Sequence, residues 1–350
     1  MLKFIKLFTF ALGISITASY KNIHVNESST SVAAVRRSVS AKSNNFLLGD
    51  IVDFAKDLYL PSVIQDLYKF LIKVPPKRLA SPRNVKHGTI EDVHKYLSRS
   101  LISSCPAEKI LNLECLCEKT FSNIKIIKDE DSRSLVTVTT DDKYNLIIVS
   151  YRASLSAQNW LTNFEYPMID FPNSKPGVKV HHGFYSNHRS SYVPVKNAVV
   201  ELLDNPKYKN YILHITGYSL GASTATVSLP DWVSLLKSRN DQRKIQAYVY
   251  ASPRPGNEGF AQYIAELDVP ITLYTNRNDI VPHVPPRSMG YVHAAPEIHE
   301  RYVGLGRTEL VECSQEYDED PNCGYKETFP ISVAMHLLPL NGLVPLPPYC

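Results

Sequence analysis

"YILHITGYSLGASTATVSL", residues 211–229, passes from an apolar run through Gly217-Tyr218-Ser219-Leu220-Gly221 into a run of small and apolar residues. The first part reads as a buried strand and the last as a helix. A Gly-x-Ser-x-Gly at that junction suits a sharp, strained turn, because side chains at the flanking glycine positions have no room there. Such a turn exposes the Ser219 hydroxyl and presents the Leu220 N–H, at a helix start, to an oxyanion. The competing interpretation is a structural glycine-serine turn with no chemistry. The chain carries only 14 glycines in 350 residues, and the strand-to-helix setting favours the nucleophile.

Working outward, strand-like runs occur at "NIKIIK" (123–128), "SLVTVTT" (134–140), "NLIIVSY" (145–151), "IQAYVYA" (245–251) and "ITLYT" (271–275). Helical patterns lie near 190–204, 222–237 and 257–266, and Thr89-Ile-Glu-Asp92 is a capping-box start for a helix bearing Val93, Leu97 and Leu101. Strands that are apolar throughout, alternating with helices, predict an α/β fold: a mixed, mostly parallel central sheet with helices on both faces. No internal repeat interrupts it, so the body reads as one domain.

The N-terminal part is of another kind. Lys3 and Lys6 precede an apolar run from Leu7 to Ala18, too short to span a bilayer and suited to a secretory signal over residues 1–19. Residues 20–78 read as a propeptide: a polar leader, two amphipathic helical runs, then the dibasic Pro75-Pro76-Lys77-Arg78. Residues 79–350 form the body. Residues 1–78 hold 11 of the 38 basic and 5 of the 34 acidic residues, which leaves 27 basic against 29 acidic in the body. A near-neutral body with no basic stripe argues against nucleic acid as a partner.

A secreted, extracellular location gives the six cysteines their meaning: Cys105, Cys115, Cys117, Cys313, Cys323 and Cys350. An even count in an oxidising route predicts three disulfides. A metal site at Cys115-x-Cys117 is the competitor, but no further His or Cys completes it at zinc spacing.

A serine hydroxyl needs a histidine to take its proton and a carboxylate to hold that histidine. In α/β-hydrolases the chain order is Ser, acid, His. Asp279 directly follows the strand "ITLYT", where sites in open α/β sheets gather, whereas Asp231 and Asp268 read as surface charges. Four histidines follow: His283, His293, His299 and His336. Spacing favours His336, far down the chain, with His293 next.

Taken in order, these segments resemble the fungal class 3 lipases, the Rhizomucor-type secreted triacylglycerol lipases in particular. The likeness runs from about Pro82 to Cys350 through "VSYRASLSAQNWLTNF", "VHHGFYSN", "GYSLGASTA", "ASPRPGNEGF", "NDIVPHVPP", "GYVHAAPEIH" and "AMHLLPL". The resemblance implies an α/β-hydrolase fold and a Ser219–His336–Asp279 triad, with Ser154 and Leu220 forming the oxyanion hole. It implies that His293 is structural, and that the disulfides are Cys105–Cys350, Cys115–Cys117 and Cys313–Cys323. The chain departs from the family pattern at Tyr218, where His is usual, and at Ala222 and Ala153, where Gly is usual.

In "LSAQNWLTNFE" (155–165), Ala157, Trp160, Leu161 and Phe164 share one helical face. That helix is either a plain core helix or, as in the resembling lipases, a lid whose apolar face turns to lipid when it opens. The implied activity is hydrolysis of triacylglycerol esters at an oil–water interface by a monomer through an acyl-enzyme, with transient lid contact with lipid surfaces and no metal or other cofactor. A feruloyl esterase, a phospholipase A1 and a non-catalytic binding protein on the same scaffold are the alternatives.

Overall fold

A computed structural model describes residues 74–105, 107–111, 120–129, 134–153, 167–304, 307–326, 335–337 and 340. The expected signal and most of the propeptide, Ser154, the helix bearing Ala157, Trp160, Leu161 and Phe164, and Cys115, Cys117 and Cys350 lie outside the described residues.

The chain enters through α1 (Ile90–Leu101), a 3-10 turn (Ile102–Ser104) and the short α2 (Ala107–Leu111). Thr89 caps α1: its hydroxyl accepts from the Asp92 N–H, and the Asp92 carboxylate accepts from the Thr89 N–H, each at 3.2 Å. A cap of this kind stabilises a helix by about 1 kcal/mol. Strands β1 (Phe121–Asp129), β2 (Ser134–Asp141) and β3 (Leu146–Tyr151) follow, then the small hairpin of β4 (Met168–Asp170) and β5 (Lys179–His181). The long α3 (His182–Asp204), β6 (Ile212–Tyr218) and α4 (Leu220–Ser238) lead to β7 (Ile245–Tyr250), α5 (Glu258–Glu266) and β8 (Ile271–Asn276). The hairpin of β9 (Glu297–Gly304) and β10 (Arg307–Glu312) closes the described sheet.

Among the described residues the main sheet has eight strands in the order β1-β2-β3-β6-β7-β8-β9-β10. The run from β3 to β9 is parallel, and antiparallel pairs flank it on both sides. This is the mixed, mostly parallel sheet expected of an α/β-hydrolase.

Burial on both faces explains the continuous apolar strands. Along β3, Ile147, Val149 and Tyr151 pack with α3 and α4, whereas Leu146 and Ile148 pack with Val93, Leu97 and Leu101 of α1. The one buried charge on α1, Arg99, reaches Asp141 of β2 with Nε and Nη2 at 3.0 and 2.7 Å, so desolvation is offset by a fork of charge-assisted hydrogen bonds.

One helix departs from expectation at its start. α3 begins at His182, well before the expected 190, because His181 caps it by accepting from the Gly183 N–H at 2.9 Å. Its first two turns show little apolar periodicity. His299, expected in a turn, lies in β9 instead.

Residues 74–79 lie along 316–318. Lys77 and Asp318 exchange backbone-linked hydrogen bonds, the Leu79 N–H donates to the Glu316 carbonyl at 2.9 Å, and Arg78 pairs with Tyr317 in an antiparallel bridge. The dibasic pair is therefore pinned by its backbone while its side chains are exposed. Cys313 and Cys323 form a disulfide, and Cys105 is also disulfide-bonded, its partner lying outside the described residues. No described helix is long and apolar enough to cross a membrane.

Candidate active site

Ser219 stands between β6 and α4 with φ 57° and ψ −127°, a backbone conformation that non-glycine residues rarely hold. Two glycines permit it. A Cβ on Gly217 would run into the backbone of Gly221, and one on Gly221 into the Tyr151 carbonyl oxygen. Serine at a helix N-cap ordinarily turns its hydroxyl onto the N2 or N3 amide. Ser219 makes no such bond, and its buried Oγ is without a hydrogen-bond partner. The strained turn thus withholds the hydroxyl from capping. Leu220 opens α4, so its N–H is one of the four that a helix leaves unsatisfied internally.

Asp279 follows β8 and is 1 % exposed. Its Oδ1 accepts from the Val281 N–H at 2.9 Å, and its Oδ2 accepts from His336 Nδ1 at 2.7 Å. His336, on a 3-10 turn (Met335–Leu337), thereby presents Nε2, which is buried and has no partner. Its ring lies 5.2 Å from that of Tyr218, the residue before Ser219. The serine turn, the carboxylate and the imidazole thus gather at the C-terminal ends of β6 and β8, where open α/β sheets place their sites. The carboxylate thus fixes the imidazole tautomer, while Ser219 Oγ and His336 Nε2 are not hydrogen-bonded to each other.

The other histidines go elsewhere. His293 Nε2 meets the Pro282 carbonyl at 2.9 Å, and His299 Nδ1 meets Thr275 Oγ1 at 2.8 Å. Burial lowers the pKa of His283 to about 3 and that of His293 to about 4, so both are neutral. Asp268 is an exposed partner of Lys86, as a surface charge should be. Asp231 is not merely a surface charge: on α4 it accepts from the buried His188 Nε2 at 2.7 Å, and His188 Nδ1 lies 3.2 Å from the Tyr151 hydroxyl. Sequence position hid this because the three residues come from separate elements.

Sequence reasoning also missed what holds the acid loop. Arg254, 1 % exposed, donates Nε and Nη2 to the two oxygens of Glu319 at 2.6 and 2.7 Å. Its Nη1 donates to the carbonyls of His283 and Pro285 at 2.5 and 3.0 Å. Arg287 reaches Asp318 at 2.6 Å and Glu319 at 3.4 Å. Burial alone would raise the pKa of Glu319, but the Arg254 charge and hydrogen bonds, with the Arg287 charge beyond them, hold it well below the usual carboxylate range. The signal was present as an arginine in "ASPRPGN" and an acidic run in "YDEDPN", with nothing to join them.

Among the described residues, Glu297, Cys313 and Cys323 bring three metal-ligand atoms together, but both sulfurs are spent in the disulfide.

The class 3 lipase family model matches residues 148–289, the span from β3 through the acid loop. A lipase of Rhizomucor miehei is 32% identical over 190 residues, covering 53% of this chain and 50% of that protein. The secreted mono- and diacylglycerol lipase 1 of Fusarium solani is 34% identical over 161 residues, covering 46% of this chain and 45% of that one. The chain thus spans about half the length of these curated relatives. The Rhizomucor miehei lipase propeptide complex superposes with a TM-score of 0.64 at 22% identity, covering 76% of this chain and 85% of that one, which establishes the shared fold. Residues 148–289 thus match the class 3 lipase model, and the chain shares the fold of the Rhizomucor miehei lipase.

Proposed function

We propose that this chain is a secreted serine esterase that hydrolyses triacylglycerols at a lipid–water interface. Ser219 Oγ attacks the ester carbonyl while His336 Nε2 takes its proton, and Asp279 holds the Nδ1–H and stabilises the imidazolium. The tetrahedral oxyanion takes hydrogen bonds from the Leu220 N–H and from Ser154. His336 then protonates the departing alcohol, and water, activated by the same imidazole, releases the fatty acid from the acyl-enzyme. No metal or organic cofactor enters this sequence.

The observation that carries this reading is the 2.7 Å Asp279–His336 hydrogen bond beside a serine whose backbone is strained and whose hydroxyl is left unpaired. The names of the relatives, a lipase and a secreted mono- and diacylglycerol lipase, support the substrate class and the extracellular location. In this reading residues 155–165 form the lid, residues 1–19 the signal, and residues 20–78 a propeptide cut after Arg78, which leaves a monomeric body. Hydrolysis of tributyrin, followed across its solubility limit beside phosphatidylcholine and methyl ferulate, tests the proposal. A rise in rate when the emulsion forms is the expected result. A smooth curve with preference for ferulate overturns the lipase assignment, as does preference for phosphatidylcholine. Undiminished turnover by Ser219→Ala overturns the triad.

A further inference from the structure

Tyr218 ends β6 one residue before Ser219 and is 1 % exposed, packed among side chains of α1 and the neighbouring strands. Its phenol donates a 2.7 Å hydrogen bond to the backbone carbonyl of His336. Two more side chains from the end of β8 hold the same stretch of chain. Asn276 Nδ2 donates to the Met335 carbonyl, and the Tyr274 hydroxyl accepts from the Leu340 N–H at 2.9 Å. The turn bearing the imidazole is a single 3-10 turn of three residues, too short to fix its own position. Asp279 grips one ring nitrogen and so sets the tautomer, but one hydrogen bond leaves the ring free to pivot about it.

We propose that Tyr218 is a positioning residue: by holding the His336 carbonyl from the position next to Ser219, it fixes the separation of general base and nucleophile. The inference rests on the serine-esterase reading above. It gives a physical role to the tyrosine that replaces the family's usual histidine. Serine and tyrosine share one peptide bond, so a displacement of the turn bearing the nucleophile carries the clamp, and with it the imidazole, in the same direction. Burial, then the negative charges of Asp279 and Glu300, raise the Tyr218 phenol far above its ordinary range, so it stays a donor at every working pH. Without the phenol, the His336 carbonyl loses that donor and the turn shifts to find another. Because general-base catalysis depends on near-attack geometry, a displacement of about 1 Å costs roughly 100-fold in rate.

The test compares Tyr218→Phe with Tyr250→Phe, using p-nitrophenyl butyrate below its solubility limit. Tyr250 pairs with Tyr218 across β6 and β7, is fully buried, and donates its phenol to the Val93 carbonyl at 2.8 Å, away from the histidine turn. Both variants lose one buried phenol-to-carbonyl bond, so both are expected to melt a few degrees lower. Only Tyr218→Phe is expected to lose kcat, by about 10- to 100-fold, with KM held within about twofold. Should Tyr218→Phe not fold, Tyr218→His serves instead: its ring is too short to reach the carbonyl, and the same kcat loss is expected. Wild-type kcat in a folded Tyr218 variant overturns the clamp, and so does an equal activity loss in both phenylalanine variants. A wild-type protein that turns over no ester removes the esterase reading and the clamp with it, an outcome distinct from an active wild type with an unaffected Tyr218 variant.

Discussion

Removing the Glu319 charge should destabilise the protein far more than removing a surface carboxylate. Glu319 is 7% exposed in its side chain and Arg254 1%, and they meet through two parallel hydrogen bonds. Arg287 and Asp318, each 4% exposed, complete a quartet in which two positive and two negative charges balance. Glu319→Gln leaves one guanidinium charge uncompensated in that buried cluster. Breaking a buried pair in this way costs about 3–5 kcal/mol. For a domain of this size that corresponds to a fall in Tm of roughly 6–20 °C. Arg254→Met costs at least as much, because the carbonyls of His283 and Pro285 lose their donor as well. The double variant Arg254→Met/Glu319→Leu removes both charges together, and its cost should fall short of the sum of the single costs by about 2 kcal/mol or more. Equilibrium unfolding in guanidinium chloride supplies the four free energies of the cycle. Single variants within about 1 kcal/mol of wild type, combining additively, would mean that the quartet is solvated and does not hold the acid loop.

Two further perturbations follow from the same geometry. Gly221→Ala drives a methyl group into the Tyr151 carbonyl at the end of β3. It should cost about 1–3 kcal/mol and abolish ester hydrolysis, and a stable, fully active variant would contradict the close approach. Burial lowers the pKa values of His181 and His293 to about 4, and those of His214 and His283 to about 3, from 6.5. The unfolded chain therefore binds more protons than the native state as pH drops below about 6.5. Stability should be full above that pH and fall towards pH 4, by up to about 1.4 kcal/mol per pH unit for each histidine. Glu297, raised by burial, works in the opposite direction but is one group against four. Urea midpoints at pH 7.5, 6 and 5 measure the effect, and a flat series contradicts it.

The central strands and the serine turn were legible because their cause is local. β3, β6, β7 and β8 are covered on both faces, so their sequences are mostly apolar, and the glycines at 217 and 221 mark a place where backbones nearly touch. Asp279 was legible by its place after β8. His336 was less so, since four histidines followed the acid and only packing decides which of them meets it. The early start of α3 was hidden by a polar first stretch, "HHGFYSNHRSS", that lacks a helical apolar stripe. The hairpin of β9 and β10 was missed because charged residues, Glu297, Glu300, Arg301, Arg307, Glu309 and Glu312, break up any apolar run. The Arg254–Glu319 pair joins positions 65 residues apart, and the clamp from Tyr218 to His336 spans 118. No pattern within a window of a dozen residues encodes either contact.

Covalent labelling of the nucleophile tests the proposed chemistry most directly. The protein is treated with a fluorophosphonate probe in detergent, and the adduct is located by peptide mass spectrometry. The expected result is a single phosphonyl group on Ser219, absent from Ser219→Ala and formed at least about 1,000-fold more slowly in His336→Ala. An unmodified wild-type protein, or an adduct on another residue, would contradict it.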